Sequence, residues 1–196
     1  MKKIGITGTI GAGKSTVSIL LRRRGKPVFD CDQYARILYQ KTNPCYAEVV
    51  DAFSEEILDE FGEIDRKKLA AIVFRDEEAR KKLNAITHPA VIRGMETYFK
   101  NHAKDPLVFA EVPLLVELGA TNRYDEVVLV TCSEENAIRR MMEDRGYSEE
   151  EARRRLAAQI DPKVQRKYAT FILENDGSIR DLDRMVGKML KDLGRA

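Results

Sequence analysis

KKIGITGTIGAGKSTVSILLRRRG, residues 2–25, decides the fold. KKIGIT reads as a short buried strand ending at Gly8. KSTVSILLRRRG sets Val17, Leu20 and Leu21 on one helical face and stops at Gly25. Between them, Gly8-Thr9-Ile10-Gly11-Ala12-Gly13-Lys14-Ser15 matches G-x-x-x-x-G-K-[ST] at every fixed position. The glycines let the backbone turn sharply, so that its N–H groups converge on phosphate oxygens. Lys14 carries positive charge to the outer phosphates, the Ser15 hydroxyl ligates Mg²⁺, and the helix opening near Lys14 adds its positive dipole end. The competing reading is a chance glycine turn. A strand before and a helix after, both required by the motif, weigh against it.

Outward from this unit, KPVFD is a second short strand, followed by a mostly helical run: DQYARILYQ, NPCYAEVVDAFS, DRKKLAAIVFRD, EEARKKLNAI and PAVIRGMETYFKNH. Strands resume at PLVFAEVP, EVVLVTC and TFILE, and an amphipathic helix, IRDLDRMVGKML, closes the pattern. Short strands apolar on both faces and separated by helices predict an α/β fold with a doubly wound parallel sheet of five strands. The helical run is too long for a simple crossover. The expected organisation is one domain with a core at about 1–40, 104–135 and 168–196, a helical insertion at about 41–103 and a lid at about 136–167. Gly8, Asp30, Asp32, Glu111 and Cys132 fall at or near predicted strand ends, where such sheets bind ligands.

Composition narrows the class. The 196 residues are 43% hydrophobic and 34% charged, which describes a soluble globular chain. No apolar run approaches the ~20 residues of a membrane span, and the N-terminus does not read as a signal peptide. Thirty-four basic and 32 acidic residues leave a net charge of +2, no basis for nucleic-acid or membrane binding over the whole chain. Cys31, Cys45 and Cys132 are odd in number and widely spaced. They suit a reducing cytoplasm and form no zinc signature.

Two further features carry chemistry. Asp30-Cys31-Asp32 puts two carboxylates after a strand; the choice lies between a cap for the helix QYARIL and a metal or general-base role. IRRMMEDRGYSEEEARRRLAAQ, residues 138–159, is either a pair of solvated helices with i,i+4 ion pairs or an arginine-rich lid over phosphates. A GTPase switch is disfavoured. The strand LVFAE offers Glu111 where an aspartate is usual, and the guanine-reading N-K-x-D is absent.

At this point the chain resembles the dephospho-coenzyme A kinase family. The resemblance rests on GTIGAGKSTV, DCDQYAR, LNAITHP, VPLLVE, the R-x-x-x-Q helix from Arg155 to Gln159, and the asparagine of ILEND, in this order across about residues 3–180. The family usually carries a second glycine where Thr9 stands and an aspartate where Thr170 stands. The arginine after His-Pro is displaced by one place to Arg93, and MEDRG reverses the commoner arginine–aspartate order around Arg145.

The resemblance implies a P-loop kinase that moves the γ-phosphoryl group of ATP to the ribose 3′-hydroxyl of dephospho-CoA. ATP is a co-substrate, Mg²⁺ the cofactor, and the enzyme a cytoplasmic monomer or weak oligomer. It implies catalytic roles for Lys14, Asp32 (general base) and Arg140 (lid arginine on the transferring group), with support from Arg155 and Gln159. ATP contacts fall to Gly11, Ala12, Gly13, Lys14, Ser15, Thr16 and Asn175, and the metal to Ser15, with Asp30 as a further candidate through metal-bound water. Acceptor contacts fall to Asp32, Arg36, His88 with Pro89, Pro113 and Leu114. For His88 a helix cap or a satisfied imidazole stays open, and for Pro113-Leu114 simple packing. Two rivals are a small P-loop kinase with a nucleoside, sugar acid or shikimate acceptor, and a nucleotide-regulated binding protein without an acceptor.

Overall fold

In the computed structural model, which describes residues 1–195, the elements run β1 (Lys2–Gly8), α1 (Lys14–Arg23), β2 (Val28–Asp30), α2 (Cys31–Ile37), α3 (Pro44–Phe53), α4 (Arg66–Arg75), α5 (Glu77–Asn101), β3 (Leu107–Glu111), β4 (Glu126–Thr131), α6 (Glu134–Arg145), α7 (Glu149–Ala157), α8 (Pro162–Arg166), β5 (Phe171–Glu174) and α9 (Ile179–Leu193). Ala196, the last residue of the expected core segment, lies outside the described residues. The five strands form one parallel sheet in the order β2-β3-β1-β4-β5. The chain leaves β1 for β2 and β3 on one side and for β4 and β5 on the other. Strand order therefore reverses about β1, whose carboxyl end opens into the glycine loop.

Two compact units make up the chain, one of residues 1–30 and 101–196, the other of residues 31–100. In the first, the alternation of a strand decides which residue meets which layer. Ile4 and Ile6 enter a cluster with Val17, Leu20 and Leu21 of α1 and Leu182, Val186, Met189 and Leu193 of α9. On the other face, Gly5 lies so close to its cover that an added Cβ would sit 2.5 Å from Leu115 Cδ1. Leu115, Val116 and Val127 pack there with Tyr124 and Ile160. Each buried aliphatic side chain of this kind contributes about 1.5–3 kcal/mol. α9 opens on a capping box made by Ser178 and Asp181, and Arg24 at the end of α1 donates to the Asp183 carboxylate at 2.6 Å.

The second unit is built from α2–α5 around Leu38, Cys45, Val49, Ile57, Leu69, Leu83 and Ala90. One expectation needs correction here. EEARKKLNAI and PAVIRGMETYFKNH form one 25-residue helix, α5, with Pro89 inside it. Apolar contacts of Leu83, Ile86, Ala90 and Val91 with the unit's core flank the proline and hold both halves in line. Within this mostly helical stretch, Leu58 and Ile64 form an isolated antiparallel bridge around a turn at Gly62, where φ is +70°.

Candidate active site

The loop from Gly8 to Gly13 is shaped by backbone that no side chain could share. Gly11 has φ +76°, and a Cβ there would meet the Ala137 carbonyl oxygen at 2.6 Å. Gly13 has φ +96°, and its Cβ would meet Asn175 Nδ2 at 2.3 Å. Thr9, in contrast, is not in the left-handed region, so the backbone accepts a threonine side chain there. Its buried side chain lines a cavity of about 390 Å³ together with Cys132, Gln159 and Asp161. Gly13 is also the N-cap of α1 and gives that helix no side-chain cap, so the first turn offers backbone N–H groups to an anion.

Lys14 and Ser15 open α1, with Thr16 half-buried beside them. Lys14 Nζ donates to the carbonyls of Gly8 at 2.8 Å and Thr9 at 2.9 Å, so the ammonium lies across the loop. The Ser15 hydroxyl donates to Glu111 at 3.1 Å, and Ser18, one turn later, donates to the same carboxylate at 2.6 Å. Glu111 is buried at the end of β3, in register with Asp30 at the end of β2. Burial raises its carboxyl above the usual range and the Asp30 charge adds to this, while the Ser18 and Ser15 hydroxyls and the Lys14 ammonium pull the other way. Hydroxyl and carboxylate oxygens are the donors that a hard divalent cation takes. Among the described residues no three His, Cys, Asp or Glu side chains cluster into a metal cage.

The outer wall of the loop is held by residues far away in sequence. Arg140 of α6 donates to the carbonyls of Gly11 at 3.3 Å, Ala12 at 3.4 Å and Asn175 at 2.7 Å. Buried Asn175 donates through Nδ2 to the Ala12 carbonyl at 2.8 Å. With these carbonyls drawn outward, the loop is braced to turn its N–H groups inward. Asp176 accepts from the Ser133 N–H at 2.7 Å and Asn136 Nδ2 at 2.8 Å, which hold its carboxyl below the usual range and tie the β5 end to the start of α6. Cys132, at the end of β4, has its thiol raised by burial, and its sulfur lies 3.8 Å from the Gly11 carbonyl.

The segment 138–159 forms two helices, α6 and α7, each N-capped by a serine (Ser133, Ser148), with Gly146 in the left-handed conformation between them. Ile138, Met141 and Ala152 make their shared core with Tyr147, Leu156 and the loop residue Ile10. Arg155 bonds Glu151 at 2.7 Å and stacks on Tyr147 at 4.6 Å from the ring centre. Gln159 accepts from the Ile10 N–H at 2.7 Å. Arg145 ends α6 and is exposed. Pro113 follows β3, its carbonyl accepting from the Thr7 hydroxyl at 3.2 Å; Leu114 is exposed and Leu115 fully buried. Thr170 bonds both the N–H and the carbonyl of Val127 through its hydroxyl, each at 3.0 Å, so this departure serves the start of β4.

The first unit therefore brings together Gly11, Ala12, Gly13, Lys14, Ser15, Thr16, Arg140 and Asn175, with Asp30 and Pro113 at neighbouring strand ends. In the second unit Asp32 lies in the first turn of α2 and Arg36 in its last, while His88, beside Pro89, and Arg93 lie within α5. Sequence reasoning left Ser18 and Asp176 out of the site and did not assign Glu111 a role. The signal for Glu111 was an acid ending an apolar strand, and for Ser18 its place one turn after Ser15 on the same helix.

The family model for dephospho-CoA kinase matches residues 2–181. A dephospho-CoA kinase of Aquifex aeolicus is 44% identical over 195 residues, covering 100% of this chain and 99% of that protein. A crystal structure from Thermus thermophilus superposes with a TM-score of 0.85 at 41% identity, covering 98% of this chain and 97% of the other. A dephospho-CoA kinase structure from Campylobacter jejuni gives 0.73 at 30% identity, covering 98% and 97%. The chain belongs to the dephospho-CoA kinase family.

Proposed function

We propose, from membership of that family as premise, the reaction and the residues that carry it. The enzyme transfers a phosphoryl group from ATP to a hydroxyl of dephospho-CoA, giving coenzyme A in the last step of its synthesis. The observation that carries the reading is a family match that runs through the chain, with the phosphate loop intact inside it. The bond broken is that between the γ-phosphorus and the β,γ-bridging oxygen. The bond formed joins phosphorus to the acceptor oxygen, which we assign as the ribose 3′-hydroxyl.

Such a transfer is mainly positioning and charge stabilisation. The N–H groups of residues 11–16 and the Lys14 ammonium hold the ATP phosphates, Lys14 exchanging a loop carbonyl for a phosphate oxygen. Ser15 would hold Mg²⁺ through its hydroxyl oxygen while donating its hydrogen bond to Glu111, and Asp30, in register with Glu111, would bind water carried by the cation. The chemistry such a cation would supply is neutralisation of the phosphate charge that builds up during transfer. Asp32 takes the acceptor hydroxyl proton, late in the transfer because a ribose hydroxyl is a weak acid. Arg36, His88, Pro113 and Leu114 bind the acceptor. Arg140 braces the loop through Gly11 and Ala12, and we assign to the same guanidinium the stabilisation of the transferring group. Asn175 supports the ATP site through the Ala12 carbonyl.

Among the described residues no helix is long and apolar enough to cross a membrane, and Cys31, Cys45 and Cys132 form no disulfide. We assign the enzyme to the cytoplasm, as a monomer or weak oligomer. The test is ADP release measured with and without dephospho-CoA, alongside the product's mass. Release that depends on dephospho-CoA, with one phosphate added to it, is expected. Equal release without an acceptor would defeat the reading.

A further inference from the structure

The Thr9–Ile10 peptide is held from both ends. Its N–H donates to Gln159 Oε1 at 2.7 Å, and its carbonyl accepts from Lys14 Nζ at 2.9 Å and from the Ala12 N–H at 3.2 Å. The Ile10 side chain is seated in the core of α6 and α7, among Ile138, Met141, Ala152 and Leu156. Gly11, the next residue, approaches the Ala137 backbone so closely that a Cβ would lie 2.6 Å from its carbonyl oxygen. Thus one apolar anchor, one hydrogen bond and one close backbone approach join the loop to α6, α7 and the residue just past them. Gln159 is itself fixed, because it directly follows the C-cap of α7 and its N–H bonds the Leu156 carbonyl at 3.2 Å.

The chemistry of the acceptor matters here. A peptide N–H in an anion-binding loop turns toward phosphate unless something else takes it. A carboxylate would take it strongly but place negative charge beside the phosphates. An apolar side chain would leave it unsatisfied. A glutamine carbonyl accepts it without charge. A bond donated at one end of a peptide also strengthens the acceptor at the other, so the Gln159 bond acts on the carbonyl that holds Lys14.

We propose that Gln159 is a positioning residue for the phosphoryl donor. By fixing the Thr9–Ile10 peptide it sets the path of the loop and the station of the Lys14 ammonium, and it makes α7 and the loop move as one piece. This rests on the reading of residues 8–15 as the ATP phosphate loop.

The test compares Gln159→Met, which keeps length and removes the acceptor, with Gln159→Glu, which keeps an acceptor. Amide hydrogen exchange is followed at Ile10 in the ligand-free protein, and KM for ATP, KM for dephospho-CoA and kcat are measured separately. Gln159→Met is expected to speed Ile10 exchange about tenfold, with Ile4 and Ile6 in β1 unchanged. It should raise KM for ATP about tenfold and leave KM for dephospho-CoA within about twofold. Gln159→Glu is expected to restore slow Ile10 exchange. Wild-type Ile10 exchange and wild-type KM for ATP in Gln159→Met would overturn the proposal. So would faster exchange throughout β1 with both KM values raised alike, because that is the signature of a general loss of stability. A wild-type enzyme whose ADP release ignores dephospho-CoA would instead overturn the functional reading, and the exchange comparison would still decide the role of Gln159.

Discussion

The phosphate loop and the helical unit of residues 31–100 carry their proposed functional groups in opposite ways. In the loop the chemistry belongs to the backbone. Positive φ at Gly11 and Gly13, with neighbouring atoms within 2.6 Å of any added Cβ, fixes where the peptide groups point. Lys14 and Ser15 then follow as the first residues of α1. In the helical unit the proposed acceptor groups are side chains. Asp32 and Arg36 sit at opposite ends of the short α2, and His88 lies midway along α5. Helix identity there is set by the packing of Leu38, Val49, Leu69 and Leu83, which says nothing about the work of the polar residues. A site made of backbone is written in a few adjacent letters; a site made of side chains is not.

The largest expected effects test that contrast directly. Lys14→Ala should lower kcat/KM by about 10³-fold, roughly 4 kcal/mol of transition-state stabilisation, while far-UV circular dichroism stays native because Lys14 is only half-buried. Near-normal turnover would break the assignment of the loop. Asp32→Asn should lower kcat by about 10²–10⁴-fold, the usual share of a general base, with KM for ATP little changed. A change confined to KM would make Asp32 a binding residue and would sharpen the contrast between the two regions.

How far the sequence could be read follows the same division. The parallel sheet, the loop, the two helices of residues 138–159 and the closing amphipathic helix were all legible, because each is announced by periodicity, a glycine or a cap within its own span. The partners of Arg140 and Asn175 were not. Their side chains bond carbonyls 128 and 163 residues away in the chain, and no local pattern encodes such a pairing. The family resemblance suggested the transferring phosphoryl group for Arg140 and ATP for Asn175; the packing gives both of them loop carbonyls. The helix through Pro89 was hidden because packing on both sides of a proline overrode a local stop signal.

Glu111 lies between the two cases, since its position was visible but its two serine donors were not. Its raised carboxyl also fixes a sign. Burial makes ionisation in the folded state harder than in the unfolded chain, so folded stability falls as pH rises from the ordinary carboxylate range through the raised value. Glu111→Gln removes that loss and keeps partners for Ser15 and Ser18. The ligand-free variant should therefore melt higher than wild type at pH 8, and the gain should vanish toward pH 4. Activity should move the other way, with kcat down about 10- to 100-fold and a higher Mg²⁺ requirement. A variant less stable than wild type at pH 8 would mean that the hydroxyl network outweighs the burial of charge.

The smallest expected effect concerns Gln165, a fully buried side chain on α8. Its Nε2 donates to Glu117 at 3.2 Å, while Oε1 has no hydrogen-bond partner among the described residues. One bond of this kind contributes about 0.5–1.5 kcal/mol, and a buried acceptor without a donor costs about 1–3 kcal/mol. The two nearly cancel. Glu117 is exposed and regains water if the bond is lost. Gln165→Met, similar in volume and free of the stranded carbonyl, should therefore change unfolding free energy by less than about 1 kcal/mol, a shift of roughly 2–4 °C or less in Tm for a chain of this size. A loss above about 2 kcal/mol would show that the carbonyl end is satisfied in solution. Gln159 and Gln165 would then be alike in fastening, through a fully bonded amide, the segment that follows α7. A near-zero result would leave Gln159, whose carbonyl holds a loop N–H, as the one of the two whose amide chemistry the enzyme uses.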